Sequence, residues 1–279
     1  MKIISSIPEL RAYRGQNAAL TWGLVPTMGD LHEGHLSLVR RGRAENDLLA
    51  VSIFVNPTQF APTEDLSTYP RDLERDLALL RDEQVDMVFT PDSKTIYPPQ
   101  FQTYVTVEEV TKRLEGSSRP THFRGVATVV AKLFNLIQPH RAYFGQKDAQ
   151  QTVVIRRMVQ DLNFNTEIVI GPTVREADGL AMSSRNKYLI GAERAAATVL
   201  NRGLLKVQYY FQQGERNAHT LRQLLETTIK NEPLARLDYA SIADNDTLIE
   251  LEQIDRPTLV SLAVFIGKTR LIDNLVLRP

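Results

Sequence analysis

An alternation of short apolar runs with helical patterns through the first two-thirds of the chain limits its fold more than any other sequence feature. Residues 48–55 are nearly all apolar, which is typical of a central parallel strand buried on both faces. Further strands are predicted at residues 19–25, 85–90, 141–145 and 166–170. Helical patterns separate them at residues 33–45, 70–81, 125–138 and 147–162. This order predicts right-handed crossovers and a parallel sheet with helices on both faces.

The pattern changes after about residue 186. Two helices are predicted within residues 192–230, followed by strands at 235–243 and 258–266. In the earlier part, Pro26 is expected to end the first strand, Pro70 to open the second helix, and residues 91–121 to be irregular. The sequence therefore predicts an α/β domain over residues 1–186 and a smaller α+β domain over residues 187–279.

Charge and cysteine content exclude several classes of protein. The 279 residues carry 33 Lys plus Arg and 33 Asp plus Glu, so the formal net charge is zero. Nucleic acids and anionic membranes select basic surfaces, so neither is expected as a partner. The chain has no cysteine, which excludes a disulfide scaffold, a thiolate-bound metal and a protein thioester. No apolar run approaches the ~18 residues of a membrane span, and the N-terminus is too polar for a secretory signal, so a cytoplasmic location is expected.

Residues 26–35 read PTMGDLHEGH and lie between the first predicted strand and its helix. Gly29 and Gly34 allow the backbone to approach a ligand closely, and a helix N-terminus offers unpaired N–H groups to phosphate. His32 and His35 are three residues apart and share one face of the first helical turn. Two imidazoles there can donate hydrogen bonds to charge that develops on a phosphate.

A capped turn with two structural histidines is the alternative interpretation of this segment. Two of the chain's five histidines at this spacing, directly after a strand, favour the phosphate site. No P-loop and no G-x-G-x-x-G motif competes for ATP. The H-x-x-H spacing could also indicate a metal pair, but the metalloprotease pattern H-E-x-x-H is absent.

Asn56 and Gln59 follow the strand at 48–55, in the sequence NPTQF. Their side chains supply uncharged donors and acceptors that can orient a small polar substrate. Taken alone, the segment is better explained as a strand-terminating Asn-Pro turn. Residues 119–125 could line a pocket or form a loop. Asp76 could serve a Mg²⁺–phosphate site indirectly, but a solvated position on a helix is favoured.

Lys147 follows the strand at 141–145, in the sequence FGQKD, and is predicted in the first turn of a helix. A cation there opposes the helix macrodipole and therefore needs an anionic partner, such as a phosphate. Asp148 could be no more than an N-terminal cap, and Gln151 lies one turn further along the same face.

Ser183, Ser184 and Arg185 form a fourth candidate site, in the sequence MSSRN close to the predicted domain boundary. Arg175 and Asp178 precede them. Two hydroxyl donors and a bidentate cation suit a phosphate, and a loop at a boundary could close over a ligand. The same residues are also ordinary loop composition, so the segment is a weak signal by itself.

Taken in order, these segments resemble the pantoate–β-alanine ligase family of the nucleotidyltransferase-like α/β superfamily. The matching text lies at residues 26–35, 51–60, 119–139, 144–151 and 178–186, and RLIDN at 270–274 extends it almost to the end of the chain. The resemblance implies a Rossmann-like nucleotide-binding domain and a smaller α+β C-terminal domain that closes over the substrate. It also implies a two-step reaction, in which ATP and D-pantoate form pantoyl-adenylate and β-alanine then displaces AMP to give pantothenate.

The resemblance implies a role for each matched residue. ATP is expected at Met28, Gly29, Asp30, Leu31, His32, Glu33, Gly34, His35, Gly145, Gln146, Lys147, Asp148, Val174, Met182, Ser183, Ser184 and Arg185. Catalytic roles within that set are expected for His32, His35, Lys147, Ser183, Ser184 and Arg185, with His35 as the proton donor. D-Pantoate is expected at Gln59 and Gln151, with Gln59 also bordering β-alanine and Asn56 in support. Mg²⁺ is expected with ATP, its protein ligands unknown, and a cytoplasmic homodimer is implied.

Two positions depart from the family pattern. The chain has Gln146 where the family commonly has Glu, and Ala149 where it commonly has an aromatic residue. Neither is assigned to the chemistry. The alternatives are a superfamily adenylyltransferase acting on a different small acceptor, a tRNA synthetase, which the neutral charge disfavours, and a regulatory module without catalysis, which the intact His and Lys set disfavours.

Overall fold

The computed structural model describes residues 1–61 and 64–279, and the described residues divide into two compact units. The first unit comprises Met1–Gly145, apart from residues 62 and 63, and Val154–Pro172. The second comprises Gln146–Val153 and Thr173–Pro279. The predicted domain boundary after residue 186 stays a prediction.

Six strands of the described first unit form one sheet: β1 (Lys2–Ile4), β2 (Trp22–Thr27), β3 (Leu48–Ile53), β4 (Met87–Phe89), β5 (Arg141–Gly145) and β6 (Glu167–Gly171). Their spatial order is β1-β4-β3-β2-β5-β6, and all pairs are parallel. From β2 the chain continues to β3, which lies beside β2 in one half of the sheet. From β5 it continues to β6, which lies beside β5 in the other half. The carboxyl ends of β2 and β5 therefore form the topological switch point, where open α/β sheets bind their ligands.

Seven helices in the described residues accompany this sheet: α1 (Ile7–Gln16), α2 (Glu33–Glu45), α3 (Leu73–Asp82), α4 (Ser93–Ile96), α5 (Glu115–Ser118), α6 (His122–Ile137) and α7 (Ala149–Asp161). Leu24 and Val25, neighbours on β2, belong to two separate cores because successive strand residues point to opposite faces. The core around Leu24 includes residues of α1, α6 and α7, and the core around Val25 includes residues of α2 and α3. Helices cover both faces of the parallel sheet, which confirms the predicted fold class.

The prediction that Pro26 ends the first strand is wrong. β2 continues to Thr27 and stays in register with β3, where Pro26 lies opposite Ser52. The carbonyl of Thr27 accepts the N–H of Phe54, so the backbone groups of Pro26 face the β5 side. The β5 ladder involves only Gly23 and Leu24 of β2. A proline beyond that point removes no ladder hydrogen bond.

Other element limits also differ from the predictions. α3 begins after Asp72 rather than at Pro70, because the Asp72 carboxylate accepts the N–H of Arg75 and caps the helix. Residues 91–121 contain the short helices α4 and α5 and are otherwise irregular, much as expected. β1 and α1 lie in a segment for which no element was predicted.

The second unit contains three helices and three strands in its described residues: α8 (Gly191–Ala196), α9 (Val199–Gln212), α10 (Ala218–Lys230), β7 (Ala235–Asp244), β8 (Thr258–Ile266) and β9 (Thr269–Leu277). The strands form an antiparallel sheet in the order β7-β8-β9, whose apolar residues share a core with α9 and α10. Two helices were predicted where three occur. The hydroxyl of Thr198 donates to the carbonyl of Ala195, which competes with regular helical bonding between α8 and α9.

Among the described helices, none is long and apolar enough to cross a membrane.

The packing of α9 against α10 predicts which leucines stabilise the second unit. Leu225 on α10 is fully buried and lies against Gly203 of α9, whereas Leu205 on α9 is 52% exposed. Leu225→Ala is expected to lower the free energy of unfolding by about 2–5 kcal/mol in urea titrations, because it leaves a cavity. Leu205→Ala is the matched control and should change it by less than about 0.5 kcal/mol. Equal effects of the two variants would contradict the packing described.

Candidate active site

The loop after β2 is held by a buried carboxylate from α3. Gly29 and Asp30 have positive φ angles of 86° and 52°, so the chain turns sharply there. The N–H groups of Asp30 and Leu31 donate to Oδ2 and Oδ1 of Asp76, each at 2.8 Å. Asp76 is 1% exposed, so the expectation of a solvated position is wrong. Burial raises the pKa of this carboxyl above its ordinary value, and the two backbone hydrogen bonds act in the opposite direction.

His32 and His35 form the N-terminal cap of α2, which begins and ends where the sequence predicted. The N–H of Gly34 donates to His32 Nδ1 at 3.2 Å, and the N–H of His32 donates to His35 Nδ1 at 3.3 Å. The ring centroids are 4.1 Å apart. Since a backbone N–H donates to each Nδ1, the proton of each neutral imidazole lies on Nε2. The capped turn of the alternative interpretation is therefore present, and the role of the two histidines at a phosphate stays a prediction.

Asn56 organises the turn after β3. It is 1% exposed, and its Oδ1 accepts hydrogen bonds from the hydroxyls of Thr58 at 2.9 Å and Tyr97 at 2.8 Å. Its Nδ2 donates to Gln59 Oε1 and to the carbonyl of Gly125, both at 3.1 Å. Both ends of the side-chain amide are thus used within the protein, which fits the supporting role expected for Asn56.

Gln59 links this turn to the ATP loop predicted from the sequence. Its Oε1 accepts from Asn56, and its Nε2 lies 3.0 Å from the sulfur of Met28. A Cβ on Gly125 would lie 2.5 Å from the carbonyl oxygen of Thr58 and 2.7 Å from the nitrogen of Gln59. The glycine therefore lets α6 lie directly on the backbone of the turn, and the structure brings Met28, Asn56 and Gln59 together.

His122 and Arg119 were left undecided by the sequence, and both contact Gln59. His122 Nδ1 donates to the carbonyl of Gln59 at 2.9 Å, and His122 Nε2 lies 3.3 Å from a guanidinium nitrogen of Arg119. Arg119 forms a two-point ion pair with Glu64, at 2.6 and 2.7 Å. Burial lowers the pKa of His122 to about 4, and the positive charge of Arg119 acts in the same direction. Tyr97 was also missed, because a lone aromatic residue in an irregular segment carries no local signal.

In the second unit, Lys147 lies in a single 3₁₀ turn, Gln146–Asp148, that precedes α7. The predicted helix starts two residues too early, because α7 begins at Ala149. Lys147 Nζ is 3.9 Å from Asp148 Oδ1, at the outer limit of an ion pair. Ala149 is buried, and Gln151 is half-buried in the first turn of α7.

The segment from Val174 to Asn186 is bound to its own unit by charged groups. Arg175 forms a two-point pair with Asp273, at 2.6 and 2.9 Å, and Arg194 pairs with Glu176 and Asp178, each at 2.7 Å. The N–H of Met182 donates to the carbonyl of Val174 at 3.0 Å.

Within the same segment, Ser183 caps a 3₁₀ turn, Ser184–Tyr188, by accepting the N–H of Arg185 at 3.3 Å. Ser184 itself is buried.

The predicted site residues thus divide between the two compact units. The first unit contains Met28, Gly29, Asp30, Leu31, His32, Glu33, Gly34, His35, Asn56, Gln59 and Gly145. The second contains Gln146, Lys147, Asp148, Gln151, Val174, Met182, Ser183, Ser184 and Arg185. Their assigned roles stay predictions. Among residues 1–61 and 64–279, no group of three or more His, Asp or Glu side chains could hold a metal ion.

Comparison with known proteins identifies the family. A family model described as pantoate-beta-alanine ligase matches residues 2–276. The chain is 63% identical over 279 residues to the pantothenate synthetase of Roseiflexus sp. (strain RS-1), with 99% of each chain covered. It is 54% identical over 279 residues to that of Moorella thermoacetica, again with 99% of each covered.

Solved structures agree with the sequence relatives. The pantothenate synthetase of Thermus thermophilus superposes with a TM-score of 0.95 at 48% identity, over 100% of both chains. The pantoate-beta-alanine ligase of Francisella tularensis, complexed with beta-gamma ATP and beta-alanine, gives a TM-score of 0.80 at 37% identity, over 99% of this chain and 97% of that one. These matches confirm the predicted enzyme class, an ATP-dependent acid–amine ligase. The resemblance seen in the sequence is confirmed as well, and the chain belongs to the pantoate–β-alanine ligase family.

Proposed function

We propose that the chain joins D-pantoate to β-alanine in two steps at the carboxyl ends of β2, β3 and β5, with α2 presenting its histidines to ATP. The observation that carries this proposal is the cap of α2. It combines a helix N-terminus, which favours phosphate, with two imidazoles whose Nδ1 atoms accept backbone N–H groups. Each neutral ring then has its N–H on Nε2, the atom able to donate to a phosphate oxygen.

In the first step, a carboxylate oxygen of D-pantoate attacks the α-phosphorus of ATP. A bond forms between that oxygen and phosphorus, the bond from phosphorus to the bridging oxygen breaks, and pyrophosphate leaves. Negative charge accumulates on the phosphate oxygens in the transition state. His35 as proton donor and His32 as its phosphate-contacting neighbour would stabilise that charge, together with the helix N-terminus.

In the second step, the amine of β-alanine attacks the acyl carbon of pantoyl-adenylate and a carbon–nitrogen bond forms. AMP leaves with the electrons of the carbon–oxygen bond, and the nitrogen loses a proton to the departing phosphate or to water. The chain has no cysteine, so no protein thioester can carry the acyl group between the steps. Catalysis of this step depends on bringing amine and acyl carbon together and on excluding water.

Gln59 is the residue of the first unit best suited to orient D-pantoate and to border β-alanine. Its side chain is fixed by Asn56 and Met28, and its carbonyl by His122, so it offers a substrate a preset geometry. Burial raises the pKa of the Tyr97 phenol, which keeps that hydroxyl protonated and able to donate to Asn56. Gln151 is the second pantoate residue of the proposal.

The second unit contributes Lys147 and the segment Met182–Arg185 to the proposal. Because Lys147 Nζ lies 3.9 Å from Asp148 Oδ1, their attraction is weak enough for the ammonium to turn to the ATP phosphates. Two serine hydroxyls and the guanidinium of Arg185 add donors of the kind that phosphate binds. Val174 is proposed to contact adenine through its backbone.

Mg²⁺ is proposed to enter with ATP rather than to reside in the protein. Mg²⁺ is usually held by one or two carboxylates, water and substrate phosphates. Both carboxylate oxygens of Asp76 accept backbone N–H groups, so Asp76 is poorly suited to give up an oxygen to a cation. When bound, the ion would neutralise phosphate charge.

The proposal also includes a cytoplasmic location and a homodimer. Within each chain, residues 1–186 are proposed to bind ATP and D-pantoate, and residues 187–279 to form a closing domain.

Pyrophosphate–ATP exchange tests the first step directly. Without β-alanine, exchange of labelled pyrophosphate into ATP is expected with D-pantoate and not without it, because only the carboxylate makes the adenylate. An enzyme that adenylylates a different small acceptor would show no exchange with D-pantoate. Folded protein without exchange under either condition would overturn the proposed reaction.

His35→Asn separates catalysis from capping. The Asn Oδ1 can accept the N–H of His32 as Nδ1 does, but no donor remains in the place of Nε2. The rate of adenylate formation is expected to fall by ~10²-fold or more while ATP still binds. His219→Asn, on an exposed position of α10, is the control and should keep the wild-type rate. A His35→Asn enzyme with a normal rate would remove His35 from the chemistry.

His122 predicts how stability depends on pH. Its pKa lies at about 4 in the folded protein and at 6.5 in an unperturbed chain, so the unfolded state takes up the proton first as the pH falls. Above about pH 6.5 the titration of His122 does not affect the free energy of unfolding. Between pH 6.5 and pH 4 it lowers that free energy by about 3 kcal/mol. His122→Asn keeps a donor for the carbonyl of Gln59 and should flatten this part of the curve in urea titrations. An unchanged curve, equal to that of His219→Asn, would contradict the assignment.

A further inference from the structure

Asn274 of β9 hydrogen-bonds the turn that carries Lys147. Its Nδ2 donates to the carbonyl of Gln146 at 3.0 Å and to that of Lys147 at 2.8 Å. Its Oδ1 accepts from Gln146 Nε2 at 3.0 Å. Asn274 is 4% exposed, so all three bonds form away from bulk water. Donor and acceptor ends of the amide are both directed at this one turn.

We propose that Asn274 is a positioning residue for Lys147 in the ligase reaction, a role that rests on the proposed function of Lys147 at the ATP phosphates. A lysine side chain is flexible, so the place its ammonium can reach depends on where its backbone is fixed. The 3₁₀ turn Gln146–Asp148 is too short to fix itself through its own hydrogen bonds. Asn274 holds two successive carbonyls of that turn and so fixes the Cα of Lys147.

Asp273, the residue before Asn274, binds Arg175 in the segment Val174–Asn186 of the second unit. Asp273 is 2% exposed, accepts two hydrogen bonds from Arg175 and accepts the N–H of Asn274 at 2.8 Å. Arg175 bridges to Ala181, immediately before Met182–Arg185. Since neighbouring strand residues point to opposite faces, Asp273 and Asn274 reach these two segments from one short stretch of β9.

Gln146 pairs with Asn274 through both its side chain and its main-chain carbonyl. The side-chain amide of Gln146 can both donate and accept, and this contact uses its donor end. The Gln146 side-chain amide donates to Asn274 Oδ1 while the main-chain carbonyl of Gln146 accepts from Nδ2, so the two residues form a reciprocal pair. Gln146 therefore adds a third hydrogen bond to the link between β9 and the Lys147 turn.

Asn274→Asp tests the inference, because Asp has nearly the same size but cannot donate to the two carbonyls. In pantoate-dependent pyrophosphate–ATP exchange, KM for ATP is expected to rise by about tenfold, and KM for D-pantoate to change by less than about twofold. Asn274→Ala removes the same bonds without adding charge and should give the same split. KM does not depend on the fraction of folded protein, so partial misfolding cannot imitate this result.

Ser261→Ala is the matched control. Ser261 lies opposite Asn274 on β8 and is also buried, but among the described residues its hydroxyl has no hydrogen-bond partner. Its loss should leave KM for ATP at the wild-type value. A rise equal to that of Asn274→Asp would show that any change in this sheet acts on ATP, and would overturn the specific role of Asn274.

A double-mutant cycle with Lys147→Ala decides whether Asn274 acts through Lys147. If it does, Asn274→Ala adds little to the rise in KM for ATP that Lys147→Ala causes by itself. Fully additive effects would overturn the inference and leave the proposed function standing. An unchanged KM for ATP in Lys147→Ala would overturn both the inference and the proposed role of Lys147, and would leave the ligase reaction to the exchange assay.

Discussion

The two hydrogen bonds that Asp76 accepts from Asp30 and Leu31 are the interaction on which the first unit's site depends. They fix the left-handed turn at Gly29 and Asp30, and with it the point at which α2 begins. Burying a carboxylate in this way is unfavourable unless donors surround it, and the two backbone N–H groups supply that compensation. Without the anchor, the backbone of this turn would lose its preset direction, and the imidazoles of the cap would lose theirs.

A buried side chain also holds a turn in the second unit, where it donates hydrogen bonds to the backbone instead of accepting them. Asp76 holds backbone donors 45 and 46 residues away in sequence, and Asn274 holds backbone acceptors 127 and 128 residues away. In both cases a buried side chain binds main-chain atoms of a turn. The turn before His32 and the turn that carries Lys147 are thus held by residues distant in sequence. A scaffold of this kind supplies preorganisation before any ligand arrives.

The apolar periodicity and the short motifs of the sequence were sufficient to predict much of the fold and to locate the candidate segments. The limits of α2 and β5 agree with the prediction, because a cap and a glycine mark them in the sequence. Asp76 was misjudged because an acidic residue in a charged helical stretch normally faces water, and only its contact with a distant loop explains its burial. Pro26 was wrongly expected to end β2, because the sequence does not show that the hydrogen bonds between β2 and β5 stop before this residue. Tyr97, His122 and Asn274 act through tertiary contacts that no period or spacing encodes.

The histidine cap of α2 has a consequence for metal selectivity. A transition-metal ion coordinates imidazole through a nitrogen lone pair. The Nδ1 lone pairs of His32 and His35 already accept backbone N–H groups. Coordination through Nε2 would require each ring either to lose its proton or to move it to Nδ1, where it would meet the donating N–H of the cap. The cap that occupies both Nδ1 atoms thus disfavours chelation of zinc or nickel by the pair, despite a spacing that resembles a metal-binding motif.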